Sequence, residues 1–282
     1  MRILILGGDG MLGHRLMQSL RPHHDVRVTL RGKLAQYANF GLFNESNAVD
    51  NLDVLNTEGL LDVIGRFNPE ALVNCVGIIK QRPSSKESIP SIAINALLPH
   101  RLSLICRAAG ARLIQMSTDC VFSGTKGNYT ETDVPDTNDL YGRTKLLGEV
   151  QDAHCLTLRT SIIGRELWRK QSLLEWFLAQ TGPIKGYKKA IYTGFTTHEM
   201  SRIIEKMIVE HPEASGVYHV SSESISKYEL LTLAKEMIGH HIEIFPDESF
   251  ECDRSLNSDR FRSQFNYQPP SWKTMIQEIQ TP

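Results

Sequence analysis

The 282-residue sequence has few cysteines, no long apolar run and almost no net charge, and each absence excludes a class of protein. Its 5 cysteines are odd in number and lack a C-x-x-C pair, so the sequence predicts neither a disulfide framework nor a zinc site. A formal net charge of −1 gives no general attraction to nucleic acid or to a membrane surface. The opening MRILILGG is too short for a signal peptide, and no later run approaches the ~18 residues of a spanning helix. We therefore expect a cytoplasmic protein without a metal, whose partner is a small molecule or another protein.

Alternating strand-like and helical segments dominate the first part of the chain. Hydrophobic residues make up 41% of the sequence, enough for one large or two small globular units. Continuous β-branched-rich runs, interleaved with amphipathic stretches such as 92–110, are typical of parallel strands covered on both faces. The sequence therefore predicts an α/β fold with a Rossmann-type, doubly wound parallel sheet. Its strand-like runs lie at 2–6, 26–30, 71–77, 112–117 and 156–163.

The pattern changes after about residue 165. The glycine- and lysine-rich segment 182–190 is interpreted as a loop, and Thr196 opens a capping box at the start of a later helix. We predict a sheet domain over 1–165 and a smaller mixed α/β substrate lobe over 166–282, with some later segments returning to the sheet.

The first strand runs directly into GGDGMLG, whose glycines Gly7, Gly10 and Gly13 are spaced G-x-x-G-x-x-G. A strand, a glycine turn and a helix N-terminus present N–H groups and a positive dipole end to a pyrophosphate. In this context the motif predicts dinucleotide binding. The second strand, which faces the adenosine ribose, ends in Arg31 and Lys33 rather than in an acid, so NADP(H) is preferred and NAD(H) stays open. An ordinary solvated basic turn would look the same.

The stretch DLYGRTKLLGE, residues 139–149, places Tyr141 and Lys145 four residues apart on one face of a predicted helix. Because a fixed positive charge favours a phenolate, we expect Lys145 to lower the pKa of Tyr141 towards neutrality. The Y-x-x-x-K spacing alone occurs by chance in many helices. The glycines Gly142 and Gly148 in the same short helix indicate that something packs close to its backbone.

Together, the glycine loop, the Ser-Thr-Asp at 117–119 and Y-x-x-x-K resemble the extended short-chain dehydrogenase/reductase superfamily. Three longer segments are similar to its dTDP-4-dehydrorhamnose reductase-like group: STDCVFSGTKGNYTETDVPDTNDLYGRTKLLGE, LRTSIIG and DRSLNSDRF…YQPPSW. The resemblance implies a catalytic set of Thr118, Tyr141 and Lys145. In that set the tyrosine donates a proton to the reduced carbonyl oxygen and the threonine bonds the developing oxyanion, while the lysine also bonds the nicotinamide ribose.

The resemblance also implies positions on the cofactor side. Asp53 resembles the acid that bonds the adenine amine, the segment 74–77 resembles the loop behind the ribose and pyrophosphate, and Asn95 resembles the asparagine that supports the central helix. The implied cofactor-binding residues are Gly7, Gly10, Met11, Leu12, Gly13, Arg31, Asp53, Val54, Cys75, Val76, Gly77, Asn95, Tyr141 and Lys145.

Departures from the family pattern concern the substrate. Sugar-nucleotide dehydratases of the superfamily carry an Asp-Glu pair where this chain has Asp119 and Cys120, which argues against dehydration. The same cysteine replaces the tyrosine usual in the reductase motif, so the sugar stays open. Basic residues suit an anionic sugar diphosphate, and Gln81 and Arg82 lie in a loop that also departs from the pattern. The substrate-binding candidates are Lys80, Asp119, Cys120, Thr196 and Arg254.

The sequence thus favours an NADPH-dependent reductase of a nucleotide-activated 4-keto-6-deoxy sugar, in a pathway that supplies surface polysaccharide or O-antigen. Composition and spacing alone reach only a nicotinamide-dependent keto reductase. One alternative is a sugar-nucleotide epimerase or epimerase-reductase, which needs a further acid–base residue. Another is a non-catalytic cofactor-binding regulatory subunit, since the group includes a regulatory relative of methionine adenosyltransferase. A homodimer stays open.

Overall fold

Short apolar runs form the strands of this protein because their side chains are buried on both faces, which a parallel sheet between helices requires. The computed structural model describes residues 1–80 and 86–279. Its strands are β1 (Arg2–Leu6), β2 (Asp25–Thr29), β3 (Ala48–Val49), β4 (Ala71–Asn74), β5 (Arg112–Thr118), β6 (Cys155–Thr160), β7 (Ile162–Ile163), β8 (Ile184–Tyr192), β9 (Phe195–Thr196), β10 (Gly216–His219), β11 (Ile225–Ser226) and β12 (Ile244–Asp253).

The helices alternate with these strands in the first part of the chain and cover the sheet. A π-helical segment, Ile92–Leu97, joins the third helix to the fourth, and 3₁₀ turns form at Leu34–Phe40 and Asp119–Val121. The α-helices are α1 (Met11–Leu20), α2 (Thr57–Phe67), α3 (Ser88–Ser91), α4 (Leu98–Ala109), α5 (Leu140–Leu147), α6 (Leu173–Leu178), α7 (Thr197–Val209), α8 (Lys227–Ile238), α9 (Asp259–Gln264) and α10 (Trp272–Ile279).

Seven strands form one parallel sheet in the order β10-β6-β5-β4-β1-β2-β3. Alternate residues of β1 enter different cores: Ile3 and Ile5 pack into one hydrophobic cluster, and Leu4 and Leu6 pack into the other. The strand order changes direction at β1, between β4 and β2, as in a doubly wound fold. The predicted Rossmann-type architecture is confirmed.

The chain after residue 165 contributes both to the seven-stranded sheet and to a smaller three-stranded sheet. Strand β10 pairs with β6 at the edge of the large sheet, and α7 packs on α1, so parts of the later sequence lie in the sheet domain. The remainder includes a three-stranded sheet, β11-β8-β12. The division at residue 165 itself stays a prediction.

The segment 182–190, interpreted from sequence as a loop, instead forms most of β8. Its lysines lie on an exposed face and pair with acids of β12: Lys185 with Asp247 at 3.0 Å and Lys188 with Glu248 at 2.9 Å. The loop interpretation was wrong because these cross-strand partners lie about sixty residues away in sequence.

One continuous helical stretch, Ser88–Ala109, corrects a second expectation. Its 22 residues are long and apolar enough, by length and composition, to cross a membrane, although no such run was expected from the sequence. In the structure, 44% of its most apolar window is buried, and Leu98, Leu102 and Cys106 pack into the core beneath the sheet. The stretch therefore occupies the position of a covering helix of the sheet.

Two glycines seat α5 against the neighbouring backbone, as its composition predicted. A Cβ atom on Gly142 would lie 2.2 Å from the carbonyl oxygen of Cys120, and one on Gly148 would lie 1.9 Å from the carbonyl oxygen of Asn95. Only a residue without a side chain allows this approach. Helix α5 is consequently fixed at both ends, between the end of β5 and the π-helical segment.

We expect Gly148→Ala to destabilise the protein by about 1–3 kcal/mol, because its methyl group would collide with backbone that cannot rotate away. Gly65→Ala is the matched control, since Gly65 lies inside α2 with nothing within 4 Å of its added Cβ. The control should raise the free energy of unfolding by up to about 1 kcal/mol through helix propensity. Urea unfolding of both variants measures the two effects, and equal values would refute the close packing of α5.

Candidate functional site

A cavity of about 730 Å³ lies at the carboxyl ends of the sheet strands. This is the edge at which doubly wound sheets bind ligands. The cavity extends from the glycine loop past α5 to β8 and β12. Sixteen of the predicted site residues line it: Gly7, Gly10, Met11, Leu12, Arg31, Asp53, Val54, Cys75, Val76, Gly77, Thr118, Asp119, Cys120, Tyr141, Lys145 and Arg254.

The glycine loop has the geometry that a pyrophosphate requires. Gly7 has a positive φ of 83°, and a Cβ on Gly13 would lie 2.1 Å from the carbonyl oxygen of Gly7, so the turn closes only with glycine at these positions. The N-cap of α1, Gly10, has no side chain to occupy the first free N–H groups of the helix. Met11 and Leu12 therefore direct unpaired N–H groups and the positive helix end towards the cavity. These residues fit a dinucleotide phosphate.

The wall between the glycine loop and α5 depends on two asparagines. Asn74 accepts a hydrogen bond from Val76 N at 3.1 Å, which turns the chain out of β4 earlier than the predicted run 71–77. Asn95 is buried outside the cavity and bonds the backbone of Ile78 twice, through Oδ1 at 2.9 Å and Nδ2 at 3.0 Å. The structure thus gives Asn95 a supporting position rather than a lining one.

Thr118, Tyr141 and Lys145 all line the cavity. Thr118 ends β5, where its hydroxyl donates to Asp119 at 3.1 Å and also hydrogen bonds with Tyr141. Asp139 caps α5 by accepting from Gly142 N at 2.7 Å, so the tyrosine projects from a fixed first turn. The Nζ of Lys145 donates to the carbonyl oxygen of Met116 at 2.5 Å.

The expected effect of Lys145 on Tyr141 is corrected. Burial raises the pKa of Tyr141 above its usual range, and the nearby Cys120 acts in the same direction, while the hydrogen bond with Thr118 opposes them. Burial also lowers the pKa of Lys145 to about 8. The direction was wrong because withdrawal of the phenol from water, reinforced by nearby acidic groups, outweighs the one hydrogen bond that lowers its pKa.

Arg254 reaches the same cavity from the end of β12. Its Nε donates to the carbonyl oxygen of Phe122 at 2.8 Å, and its Nη1 lies 4.0 Å from the sulfur of Cys120. Burial raises the pKa of the Cys120 thiol to about 12, so this group stays protonated beside the guanidinium. The arrangement places one fixed cation next to the proposed reacting centre.

Four predicted site residues lie outside the cavity wall: Gly13, Lys80, Asn95 and Thr196. Thr196 is fully buried and accepts from Glu199 N as the N-cap of α7, which corrects its assignment to the substrate pocket. The capping role that its sequence already indicated occupies its hydroxyl. Lys80 forms an ion pair with Asp139 at 2.8 Å. The other two candidates in its loop, at 81 and 82, lie outside the described residues.

Part of the cavity wall beside the glycine loop is not predicted by the sequence. Asp9, Trp168 and Arg169 line the cavity there. Asp9 lies within the glycine motif, and a carboxylate beside an expected phosphate site could have indicated a cationic partner nearby. Trp168 and Arg169 come from a segment with no recognisable local sequence pattern, and only the tertiary fold places them at the cavity.

One group of three potential metal ligands occurs among the described residues, although the sequence predicted no metal site. Ligand atoms of Asp152, His154 and Cys155 lie within 4.8 Å of one another, away from the cavity. Ser103 donates to Asp152 at 2.5 Å, and its carbonyl oxygen lies 2.9 Å from His154 Nε2. Cys155 Sγ also donates to Ser103 Oγ at 3.3 Å, so Ser103 is a hydrogen-bond partner of all three residues.

Comparison with known proteins places this geometry in a family context. A family model described as the RmlD substrate binding domain matches residues 1–281. The β subunit of methionine adenosyltransferase 2 from Mus musculus is 32% identical over 152 residues, covering 52% of this chain and 41% of that protein. A dTDP-4-dehydrorhamnose reductase from Streptomyces griseus is 30% identical over 149 residues, covering 52% of this chain and 43% of the reductase. The chain thus spans less than half the length of these two relatives in the matched regions.

A solved structure extends the likeness over the whole fold. The dTDP-4-dehydrorhamnose reductase of Bacillus anthracis, solved in complex with NADP, aligns with this chain at a TM-score of 0.80 and 22% sequence identity. The alignment covers 99% of this chain and 98% of the reductase chain. At this identity the comparison establishes the shared fold.

The buried amine of Lys145 predicts a pH-dependent stability. Its pKa is lowered to about 8, so above that pH the unfolded chain binds more protons at this position than the folded chain. The free energy of unfolding should then rise with pH, until the amine of the unfolded chain also loses its proton near pH ~10.4. Relative to Lys145→Met, the wild type should gain about 2 kcal/mol between about pH 7.5 and about pH 9.5. Urea unfolding of both proteins at both pH values measures this difference, and a pH-independent difference would contradict it.

Proposed function

The chain belongs to the RmlD substrate binding domain family, and on that basis we propose that it is an NADPH-dependent reductase of a nucleotide-activated 4-keto-6-deoxy sugar. The proposal includes a role in surface polysaccharide or O-antigen sugar synthesis. The observation that carries it is the convergence of Thr118, Tyr141 and Lys145 on the cavity into which the glycine loop directs its N–H groups. A protein that only bound the cofactor would have no chemical need for this set.

The cofactor's contacts follow from the cavity wall. Met11 and Leu12 would bind the pyrophosphate, Arg31 the adenosine ribose end, and Asp53 the adenine, with Lys145 on the nicotinamide ribose. Bound NADPH would supply the hydride. Preference for NADPH over NADH is part of the proposal, with NADH as the weaker alternative.

Tyr141 would protonate the oxygen of the reduced keto group. Its raised pKa keeps the phenol in the protonated form, which is the form that reduction consumes. Thr118 lies within hydrogen-bonding reach of Tyr141 and would donate to the oxygen on which negative charge develops. The hydrogen bond from Lys145 to the carbonyl of Met116 holds the ammonium group beneath this centre.

Arg254 would bind the diphosphate of the sugar nucleotide. Its side chain is held by the carbonyl oxygen of Phe122, so little rotamer entropy remains to be lost on binding. Cys120 and Asp119, which line the cavity beside it, would contact the sugar.

A regulatory subunit is the second candidate, because a methionine adenosyltransferase β subunit is 32% identical over 152 residues of this chain. The intact catalytic set argues against it. An epimerase needs an additional base, and the thiol of Cys120, whose pKa is raised to about 12, does not serve as one near neutral pH.

We expect Tyr141→Phe to retain NADPH binding and to lower turnover by about 10²–10⁴-fold, because the variant loses the proton donor. The assay follows loss of the reduced-nicotinamide absorbance with dTDP-, UDP- and GDP-linked 4-keto-6-deoxy sugars. Oxidation of NADPH with one substrate, lost in the variant, would support the reductase and identify its nucleotide. NADPH binding without turnover across the panel would favour the regulatory candidate.

Arg254→Gln should raise the KM for the sugar nucleotide by about tenfold or more, since a charge-assisted hydrogen bond contributes about 1.5–3 kcal/mol. Its affinity for NADPH should not change. Arg260→Gln is the matched control, because Arg260 lies outside the cavity wall and stacks on Tyr218 at 4.2 Å. Equal effects of the two substitutions on KM would remove Arg254 from the substrate site.

A further inference from the structure

We propose that Arg169 is a second arginine for the 2′-phosphate of the cofactor, and that Asp9 of the glycine loop holds it in position. The inference rests on the proposed use of NADPH. It adds to Arg31 a residue from beyond the predicted domain boundary, 160 positions away from its partner Asp9.

Asp9 is fixed at the ribose end of the cavity. The hydroxyl of Tyr37 accepts a hydrogen bond from Gly32 N at 3.2 Å and donates to Asp9 Oδ2 at 3.4 Å. Gly32 directly follows Arg31, which lies just after β2. In this kind of fold, the residue at the end of the second strand faces the adenosine ribose. The carboxylate of Asp9 therefore lies beside the position of the 2′ oxygen rather than beside the nicotinamide.

Arg169 reaches this carboxylate directly. Its Nη2 donates to Asp9 Oδ2 at 2.8 Å, and the Asp9 side chain is 7% exposed while that of Arg169 is 31% exposed. Both residues line the cavity together with Arg31. Trp168 packs edge-on against Tyr37 at 6.1 Å between ring centroids and lies under the Arg169 guanidinium at 5.1 Å. The arginine is thus held by an ion pair and by an aromatic face.

The segment 165–172 that carries Arg169 is itself well ordered by hydrogen bonds. Glu166 accepts from Gln171 N at 2.9 Å and from Ser172 N at 2.8 Å, and Arg165 pairs with Glu175 at 2.7 Å. Glu166 also lines the cavity, and its two carboxylate oxygens are engaged by these backbone N–H groups. The segment therefore presents Arg169 from a defined conformation.

The balance of charge explains why two arginines are needed. Asp9 alone would repel a 2′-phosphate and would suit the free ribose hydroxyls of NADH. Arg31 alone would only cancel the charge of the Asp9 carboxylate, whereas Arg31 and Arg169 together exceed it by one positive charge. A guanidinium has five N–H donors in a planar fork. Among the described residues, Asp9 accepts a hydrogen bond from Nη2 of Arg169. The other N–H donors of this guanidinium can therefore bind a phosphate.

Affinities for NADPH and NADH, measured by isothermal titration calorimetry on wild type and Arg169→Gln, test this inference. We expect the variant to bind NADPH about tenfold or more weakly and to bind NADH within about twofold of wild type. 2′,5′-ADP should lose affinity in parallel with NADPH, and 5′-AMP should not. Lys170→Gln, which removes a neighbouring charge outside the cavity wall, should leave all four affinities unchanged.

Equal weakening of NADPH and NADH would overturn the inference, because Arg169 would then only close the cavity over any dinucleotide. Unchanged affinity for both would overturn it as well, since the contact with Asp9 would then be purely structural. Binding is measured without turnover, so the two proposals can fail separately. NADPH binding that depends on Arg169, in a protein inactive on every sugar nucleotide, would refute the reductase and leave this inference standing. A wild type that binds neither cofactor would overturn both.

Discussion

The side-chain amide of Asn95 fixes the distance between the cofactor wall and the helix that carries the proposed acid. Its Oδ1 and Nδ2 bond the backbone of Ile78, and the same Nδ2 donates to Thr144 Oγ1 at 3.3 Å, one residue before Lys145. The backbone carbonyl of Asn95 also lies against Gly148 at the other end of α5. Because Asn95 is 2% exposed, losing any of these partners would leave a buried polar group unsatisfied. Together with the Asp139 cap, this amide therefore fixes the position of Tyr141 relative to the cavity wall.

Exclusion of water determines the protonation of Tyr141 and Lys145. Burial moves the pKa of Tyr141 up and that of Lys145 down, so both groups are driven towards their neutral forms. A neutral phenol is a proton donor, which agrees with reduction of a ketone. The ammonium of Lys145 is retained near neutral pH with the help of Glu149 and of the carbonyl of Met116. In the proposed reductase, Lys145 would therefore position the ligands rather than ionise the tyrosine.

Local signals in the sequence were sufficient for the sheet, the glycine loop and the face that joins Tyr141 to Lys145. Each depends on neighbours within a few residues or on the periodicity of one element. The signals failed where distant partners decide the outcome. Strand β8 has its cross-strand acids in β12, and Asp9 finds its arginine in another part of the chain. Thr196 is a different case, because its capping box was visible and its burial follows from that role.

Both ends of the cavity are completed by arginines from the later part of the chain. Arg169 contacts Asp9 of the glycine loop at one end, and Arg254 contacts the carbonyl of Phe122 and lies beside Cys120 at the other. The glycine loop and the strand-end residues of the first part therefore supply hydrogen-bond geometry, and the later segments supply additional positive charge. Two anionic ligands, a phosphorylated dinucleotide and a sugar diphosphate, would each be shared between the two parts.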